Sequence, residues 1–406
     1  MNAEVALVDF APTLRLALLA VVAALLPLSW VWLRQRSGDL RARLAALTAV
    51  TLFLTFDLIV FGSFTRLTDS GLGCPDWPGC YGEASPLGAR ADIQAAQTAL
   101  PDGPVTFTKA WIEMIHRYLA MTVGVLILVM CAASWQQWRR RGLDGAVTGL
   151  QSTTPSPWWP TATLVWVLVQ GLFGKYTVTL KLYPAVVTAH LLGGMALLAL
   201  LVVQHETWRG RSVGLPSALQ RALWAVTALL WVQIALGGWV STNYAVLACS
   251  GFPQCNGQWW PSMDFSSGFT VLRELGRSGS GSFIPMEALV AIHMVHRLMA
   301  LALFAALLAL AWALWRRGAS IAASAAATVA AAPVAASSES DDARAARRYA
   351  LWLLGLALAQ VASGLSNVVL GWPIAAALAH SAGAAALVAV TTSLIARSTA
   401  RARAAS

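Results

Sequence analysis

Long apolar stretches alternate with short polar connections along most of this chain. A helix needs about 20 mostly apolar residues to cross a hydrocarbon layer about 30 Å thick. On that pattern, nine stretches are predicted to be membrane-spanning helices, of which the fourth is the shortest and is interrupted by glycine. They are residues 12–33, 45–64, 112–134, 160–175, 185–206, 217–241, 287–315, 350–370 and 374–396. The pattern predicts an all-α polytopic membrane protein.

Composition agrees with this fold class. Of the 406 residues, 58% are hydrophobic and only 11% are charged, which excludes an ordinary soluble globular protein. The first stretch does not read as a signal peptide, because Arg34 and Arg36 follow it and only Arg15 lies near its start. We therefore keep it as a transmembrane helix.

The net charge of +10 is distributed as a topology signal. Arginines concentrate in alternate connections, which the positive-inside rule assigns to the cytoplasm. The pattern predicts a periplasmic N-terminus and a cytoplasmic C-terminus, and it favours a lipid membrane over nucleic acid as the partner. The arginines are Arg34, Arg36, Arg41 and Arg43; Arg139, Arg140 and Arg141; Arg209, Arg211 and Arg221; Arg316, Arg317, Arg344, Arg347 and Arg348; and Arg397, Arg401 and Arg403.

Two halves of the chain repeat the same motifs. The pattern C-x-x-x-P-x-C begins at Cys74 and again at Cys249, and each copy is followed by a His-Arg pair that opens a span. The repeated pairs are His116-Arg117 with His296-Arg297, Gln170-x-x-x-Gly174 with Gln360-x-x-x-Gly364, and His190 with His380. Four spans thus repeat as another four in the same orientation.

This repeat predicts two four-helix bundles plus one extra N-terminal transmembrane helix. The predicted domains are residues 1–44 for the extra helix and its basic loop, 45–210 for the first half and 211–396 for the second half. A low-complexity segment at 318–346 is predicted to be a flexible cytoplasmic linker, and residues 397–406 form a basic cytoplasmic tail.

Four histidines are predicted to lie at a similar depth near the outer surface, two in each half: His116, His190, His296 and His380. Any one of them alone is explained as a core histidine that a neighbour satisfies, whereas repeat-related pairs indicate a ligand role. Zinc or copper is an alternative, but two opposed imidazoles suit a haem iron. The sequence therefore predicts two haem sites, one in each half.

Two further groups of residues keep two interpretations each. The cysteines of each pair are separated by five residues in an outer loop, which permits a small disulfide ring, Cys74 with Cys80 and Cys249 with Cys255. Such a ring is either a loop staple or a redox element. Arg66, Arg117 and Arg297 lie near the outer interface, where they bind either haem propionates or lipid headgroups.

The combination of motifs resembles the haem A synthase family of bacterial and mitochondrial cytochrome oxidase assembly proteins. The similarity rests on T65-R-L-T-D-S-G-L-G-C-P-D-W-P-G-C80, E113-x-x-H-R117, T188-A-H190, H296-R297 and A379-H380, and it covers roughly residues 45–396. It implies eight core helices and an enzyme that oxidises the C8 methyl group of haem O to the formyl group of haem A.

The resemblance also implies roles for individual residues. His116 and His190 are expected to hold the substrate haem, and His296 and His380 a resident haem b that passes electrons. Glu113 is similar to an acidic residue of the family that acts in catalysis; it stands three residues before His116, and its alternative role is a structural partner of Arg117 or of a loop amide. The family further suggests that Cys74 and Cys80 relay electrons or influence haem transfer.

The repeat position of Glu113 is His293 in the second half, so only the first half is expected to oxidise its haem. A haem with two imidazole ligands has no open iron position for oxygen. We therefore expect successive oxidations in which water supplies the oxygen atom, Glu113 accepts the proton, and a gem-diol finally loses water to give the aldehyde.

The resemblance places the protein in a bacterial-type inner membrane, in the biogenesis of cytochrome c oxidase. Its expected partners are haem O synthase (the protohaem farnesyltransferase), a membrane electron acceptor and oxidase assembly factors. One alternative is a dihaem b-type electron-transfer protein without haem-modifying activity. A repeat-built transporter without haem is another.

Overall fold

The computed structural model describes residues 11–148, 156–328 and 333–405, with side chains for 11–140, 156–322 and 341–399. Within these ranges the chain forms eleven α-helices, one short 3₁₀ helix at Ala245–Leu247 and no strand. The α-helices are α1 (Ala11–Arg34), α2 (Leu40–Leu67), α3 (Arg90–Ala99), α4 (Phe107–Thr148), α5 (Trp158–Thr179), α6 (Pro184–Arg209), α7 (Ser217–Thr242), α8 (Phe265–Gly268), α9 (Met286–Thr328), α10 (Pro333–Val369) and α11 (Ile374–Ala405). The predicted all-α class is confirmed.

Eight helices of the described chain are long and apolar enough to cross a membrane, which confirms a multi-pass membrane protein. They are α1, α2, α4, α6, α7, α9, α10 and α11. The helix α5 covers the predicted fourth span but is not among them; it carries Gln170 and Lys175. Eight of the nine predicted spans thus correspond to helices of this kind, and a ninth span at α5 stays a prediction.

The chain divides into two compact units, Met1–Leu182 and Tyr183–Ser406. The first contains α1 to α5, and in it α4 packs against α1, α2, α3 and α5. The second contains α6 to α11, in which α9 packs against α7 and α10, and α11 packs against α6, α7 and α10. The first unit ends at Leu182, which is 28 residues before the predicted boundary at 210. The helix α6, which carries His190, therefore belongs to the second unit. The two four-helix repeats stay a prediction.

Packing within the first unit follows the helical period. In α1 the buried residues Leu16, Ala20, Ala24 and Val31 form one stripe at spacings of four and seven residues. In α2 the buried Thr48, Thr51 and Thr55 each donate their hydroxyl to the carbonyl four residues earlier. Polar side chains are thereby satisfied locally in an apolar helix.

The Ala/Ser-rich segment at 318–346, predicted to be a flexible linker, is helical wherever its backbone is described. The helix α9 continues to Thr328 and α10 already begins at Pro333; residues 329–332 of the predicted linker lie outside the described residues. Alanine has the highest helix propensity, so a low-complexity alanine run extends the flanking helices. Composition alone did not reveal this.

Candidate haem-binding site and the disulfide rings

The second unit brings His296 and His380 close together. His296 lies on α9 and His380 on α11, and their imidazoles are near enough to interact electrostatically. Each ring packs against a glycine of a neighbouring helix. A Cβ atom at Gly237 would lie 3.1 Å from Cε1 of His296, and one at Gly364 would lie 3.2 Å from Cε1 of His380. The two glycines therefore make room for the two imidazoles.

A glutamine one turn before each glycine holds the same histidine. Nε2 of Gln233 donates to the backbone carbonyl of His296 at 3.2 Å and lies 3.0 Å from its Nδ1. Nε2 of Gln360 donates to the carbonyl of His380 at 2.9 Å. The pattern Q-x-x-x-G thus marks the helix that supports each of these two histidines.

His380 is in contact with Ser363. The Ser363 hydroxyl is placed to donate to the carbonyl of Ala359 at 2.8 Å, and its oxygen lies 3.0 Å from Nδ1 of His380. With the hydroxyl donating to Ala359, the oxygen accepts from an Nδ1–H group of His380. Nε2 of His380 then carries the lone pair, which is the form a metal requires.

The donor set of the second unit fits a haem. Two neighbouring imidazoles, each seated on a glycine, are suited to the two axial positions of one iron. In the part of the chain that the structure describes, no three His, Cys, Asp or Glu side chains group together as a site for a metal ion. His293, one turn away from His296, is buried and donates from Nδ1 to the carbonyl of Ala245 at 3.0 Å.

His116 is seated in the same way within the first unit. A Cβ atom at Gly62 of α2 would lie 2.9 Å from Nε2 of His116. The ring of Phe61 stacks on the imidazole, with centroids 6.5 Å apart and planes inclined by 10°. The contact between a glycine and a ligand candidate therefore occurs in both halves.

His190 has a buried Nδ1 atom with no hydrogen-bond partner among the described residues. An imidazole nitrogen without a partner is expensive in an apolar bundle, so this histidine retains the character of a ligand candidate. His116 belongs to the first unit and His190 to the second. That they share one substrate haem stays a prediction.

Both predicted disulfides form. Cys74–Cys80 and Cys249–Cys255 each join Cα atoms 4.9 Å apart, and all four cysteines are buried. The backbone of both loops closes alike, since Cys80 pairs with Glu83 and Cys255 with Gln258. Beside the first ring, burial and the nearby carboxylates of Asp76 and Asp92 raise the pKa of Tyr81.

Arg117 and Arg297 bind these loops. The guanidinium of Arg117 donates to the carbonyls of Asp76, at 2.9 Å, and of Pro78 and Gly79. The guanidinium of Arg297 donates to the carbonyls of Cys249, Gly251 and Gln254 at 3.0–3.2 Å.

Sequence reasoning missed this role of the two arginines. The signal was nevertheless present, because the C-x-x-x-P-x-C motif and the His-Arg pair occur together in both halves. Arg66 instead pairs with Asp69 at 3.2 Å. Propionate binding by the three arginines stays a prediction.

Glu113 uses both of its carboxylate oxygens. Oε1 lies 2.5 Å from a guanidinium nitrogen of Arg117, and Oε2 accepts a 2.8 Å hydrogen bond from the backbone N–H of Cys74. Only 4% of Glu113 is exposed. These are the structural contacts that the sequence offered as the alternative to catalysis, and the catalytic role stays a prediction.

Comparison with known proteins identifies what the chain resembles. A family model described as cytochrome oxidase assembly protein matches residues 45–337 and 320–392. A protein of Shewanella oneidensis named heme A synthase is 34% identical over 349 residues, which cover 85% of this chain and 93% of the relative. Proteins of the same name from a Methylobacterium species and from Sphingopyxis alaskensis are 30% and 28% identical over 390 and 374 residues. These alignments cover 88% and 85% of this chain, and 93% and 88% of those relatives.

Proposed function

The chain belongs to the cytochrome oxidase assembly protein family, and from this premise we propose that it is a haem A synthase, an oxidoreductase that converts the C8 methyl group of haem O into a formyl group. The observation that carries the proposal is the pair His296 and His380, seated on Gly237 and Gly364 in a chain of this family. Relatives named heme A synthase support a role in haem A synthesis.

His296 and His380 are the proposed ligands of a resident haem b. When bound, this haem supplies one-electron transfer. Ser363 fixes the tautomer of His380, Gln233 and Gln360 anchor the two histidines through their carbonyls, and the glycines let the helices approach. These contacts pre-orient both imidazoles.

In the first half, His116 and His190 are the proposed ligands of the substrate haem O, and Glu113 is the proposed proton acceptor. In each two-electron oxidation of the methyl carbon, water supplies the oxygen atom, the membrane electron acceptor takes the two electrons, and two protons are released, one of which needs a base near the reacting edge. Glu113 lies on α4 one helical turn before His116, and its carboxylate is held by an ion pair with Arg117. A second oxidation gives a gem-diol, whose loss of water leaves the aldehyde.

We further propose a setting for this reaction. The enzyme would lie in a bacterial inner membrane, receive haem O from a protohaem farnesyltransferase, and deliver electrons to a membrane acceptor. Its haem A would go to cytochrome c oxidase, as the family description and the apolar helices support.

The haem content of the purified full-length protein tests the proposal. We expect haem b together with haem O or haem A by extraction, chromatography and mass spectrometry. The substitution Glu113→Gln is expected to reduce haem A at least about 100-fold, the usual contribution of a general base, and to accumulate haem O or its hydroxymethyl form. Haem b should persist in this variant.

A matched control is His205→Asn, because His205 lies near the opposite end of α6 from His190. This variant should retain haem b and haem A. Haem b alone in the wild-type protein, without haem O or haem A, would instead support an electron carrier. The absence of all haem would support a transporter, and either result would overturn the proposed function.

A further inference from the structure

The first disulfide ring, Arg117 and Glu113 form one connected network. Arg117 is 8% exposed, and one of its terminal nitrogens contacts three carbonyls of the ring, those of Asp76, Pro78 and Gly79. Its other terminal nitrogen pairs with Glu113. A guanidinium carries several N–H donors in a fixed planar arrangement. One terminal nitrogen can therefore bind the loop while the other binds the acid, so a single side chain joins the two.

Glu113 closes this network on its other side. Its second oxygen accepts from the backbone N–H of Cys74, the first residue of the ring. The carboxylate is thereby held at two points, once by Arg117 and once by the ring itself. Both points depend on the loop keeping its closed shape, which the Cys74–Cys80 bond enforces covalently.

In the second half, Arg297 binds its disulfide loop as Arg117 does, but no acid of the described residues takes part. We call this contact between arginine and loop the clamp. Arg297 contacts the carbonyls of Gly251 and Gln254, which occupy the same ring positions as Asp76 and Gly79. In the described part of the chain, Arg297 forms no ion pair. The position of Glu113 is taken by His293, which donates to Ala245 instead. The arginine therefore binds the loop in both halves, and it binds an acid as well only in the first half.

We propose that Arg117 is a positioning residue for Glu113, which ties the carboxylate to the closed Cys74–Cys80 ring beside His116. The inference rests on the proposed function for the role of Glu113. In this proposal the ring helps to hold the carboxylate in place, because ring and acid contact the same arginine. The Cys249–Cys255 ring, whose arginine holds no acid, has no such part.

The first test measures ring protection and needs no haem chemistry. The full-length protein is treated with a phosphine reductant, the thiols released are alkylated, and each cysteine is quantified by peptide mass spectrometry. We expect Arg117→Met to speed the opening of Cys74–Cys80 by about 10-fold, the usual effect of losing a charge-assisted hydrogen bond, with Cys249–Cys255 unchanged. Arg297→Met is the matched variant and should act on the second ring alone.

The second test measures whether ring and arginine act on Glu113 together. The ratio of haem A to haem O is compared in Arg117→Met, in Cys74→Ser with Cys80→Ser, and in the triple variant. A shared pathway predicts non-additive losses, so the triple variant should lose no more than Arg117→Met alone. The variant Arg117→Lys keeps the charge but cannot bridge loop and acid, and it should not restore the ratio.

Several outcomes would overturn the clamp: an unchanged opening rate of the first ring in Arg117→Met, an equal acceleration of both rings, or losses that multiply in the triple variant. Retained haem b and a protected second ring verify that the Arg117 and cysteine variants are folded, and a protected first ring does so for Arg297→Met. If the wild-type protein makes no haem A but the rings respond selectively, the proposed function fails while Arg117 remains the link between Glu113 and the ring.

Discussion

At the scale of single residues, the ligand candidates depend on small neighbours and on hydrogen bonds. His116, His296 and His380 each rest on a glycine of an adjacent helix, where any side chain would intrude within about 3 Å of the ring. A histidine that binds a metal through one nitrogen needs its other nitrogen fixed. Ser363 does this for His380.

Removing the Ser363 hydroxyl is expected to weaken haem binding. In Ser363→Ala the Nδ1–H group of His380 loses its acceptor, and we expect haem b affinity to fall about 10-fold, the usual effect of deleting such a partner. Haem titration of the stripped protein, followed by its visible spectrum, measures the change. Ser366→Ala is the control on the same helix, since Ser366 contacts only the carbonyl of Ala362. Equal affinities in both variants would show that Ser363 does not orient the histidine.

At the scale of helices, α1 is an addition that the family model does not cover, since the match begins at residue 45. It nevertheless packs into the first unit. Leu16 is buried in a cluster with Cys74, Cys80, Ile93 and Met114. The extra helix therefore covers the apolar side of the first disulfide ring.

This packing predicts that Leu16 stabilises the ring region. In Leu16→Ala we expect a loss of about 2–5 kcal/mol, the range for truncating a buried leucine. Thermal unfolding in detergent provides the comparison. Leu14→Ala is the matched control, because Leu14 lies two residues earlier on the same helix and is 62% exposed. The same loss in both variants would mean that α1 is held by its general apolarity and not by this contact.

At the scale of the whole molecule, the sides of the membrane on which the two termini lie depend on whether α5 crosses it. If it crosses the membrane, nine spans place the two termini on opposite sides; if it does not, eight spans place them on the same side. The arginine-rich connections predict a periplasmic N-terminus and a cytoplasmic C-terminus.

Reporter fusions measure on which side of the membrane each part of the chain lies. A fluorescent protein fused after Ser406 should fluoresce, because it folds in the cytoplasm, and alkaline phosphatase at the same position should be inactive. Insertions near Asp264, in a loop predicted to lie on the outer side, should give the opposite pair of signals. Active phosphatase at the C-terminus together with a periplasmic N-terminus would contradict the nine-span topology.

The sequence by itself determined the class of protein and its candidate chemistry. A membrane requires each spanning helix to be apolar over its whole length, and this requirement is local in the chain, so spans can be read directly. The duplicated motifs likewise identified the four histidines and the two disulfide rings, because each motif is contiguous. Local composition predicted a flexible linker at residues 318–346, but 318–328 and 333–346 are helical, because alanine extends the flanking helices.

Only the tertiary structure decided what these residues contact. The approach of Gly62 to His116, the tautomer of His380 and the seating of Gln233 depend on how helices far apart in the chain pack together. Arg117 is the clearest case, since its guanidinium donates to loop carbonyls about 40 residues earlier in the chain. Such contacts arise from the relative placement of elements, which no local pattern of apolar and polar residues encodes.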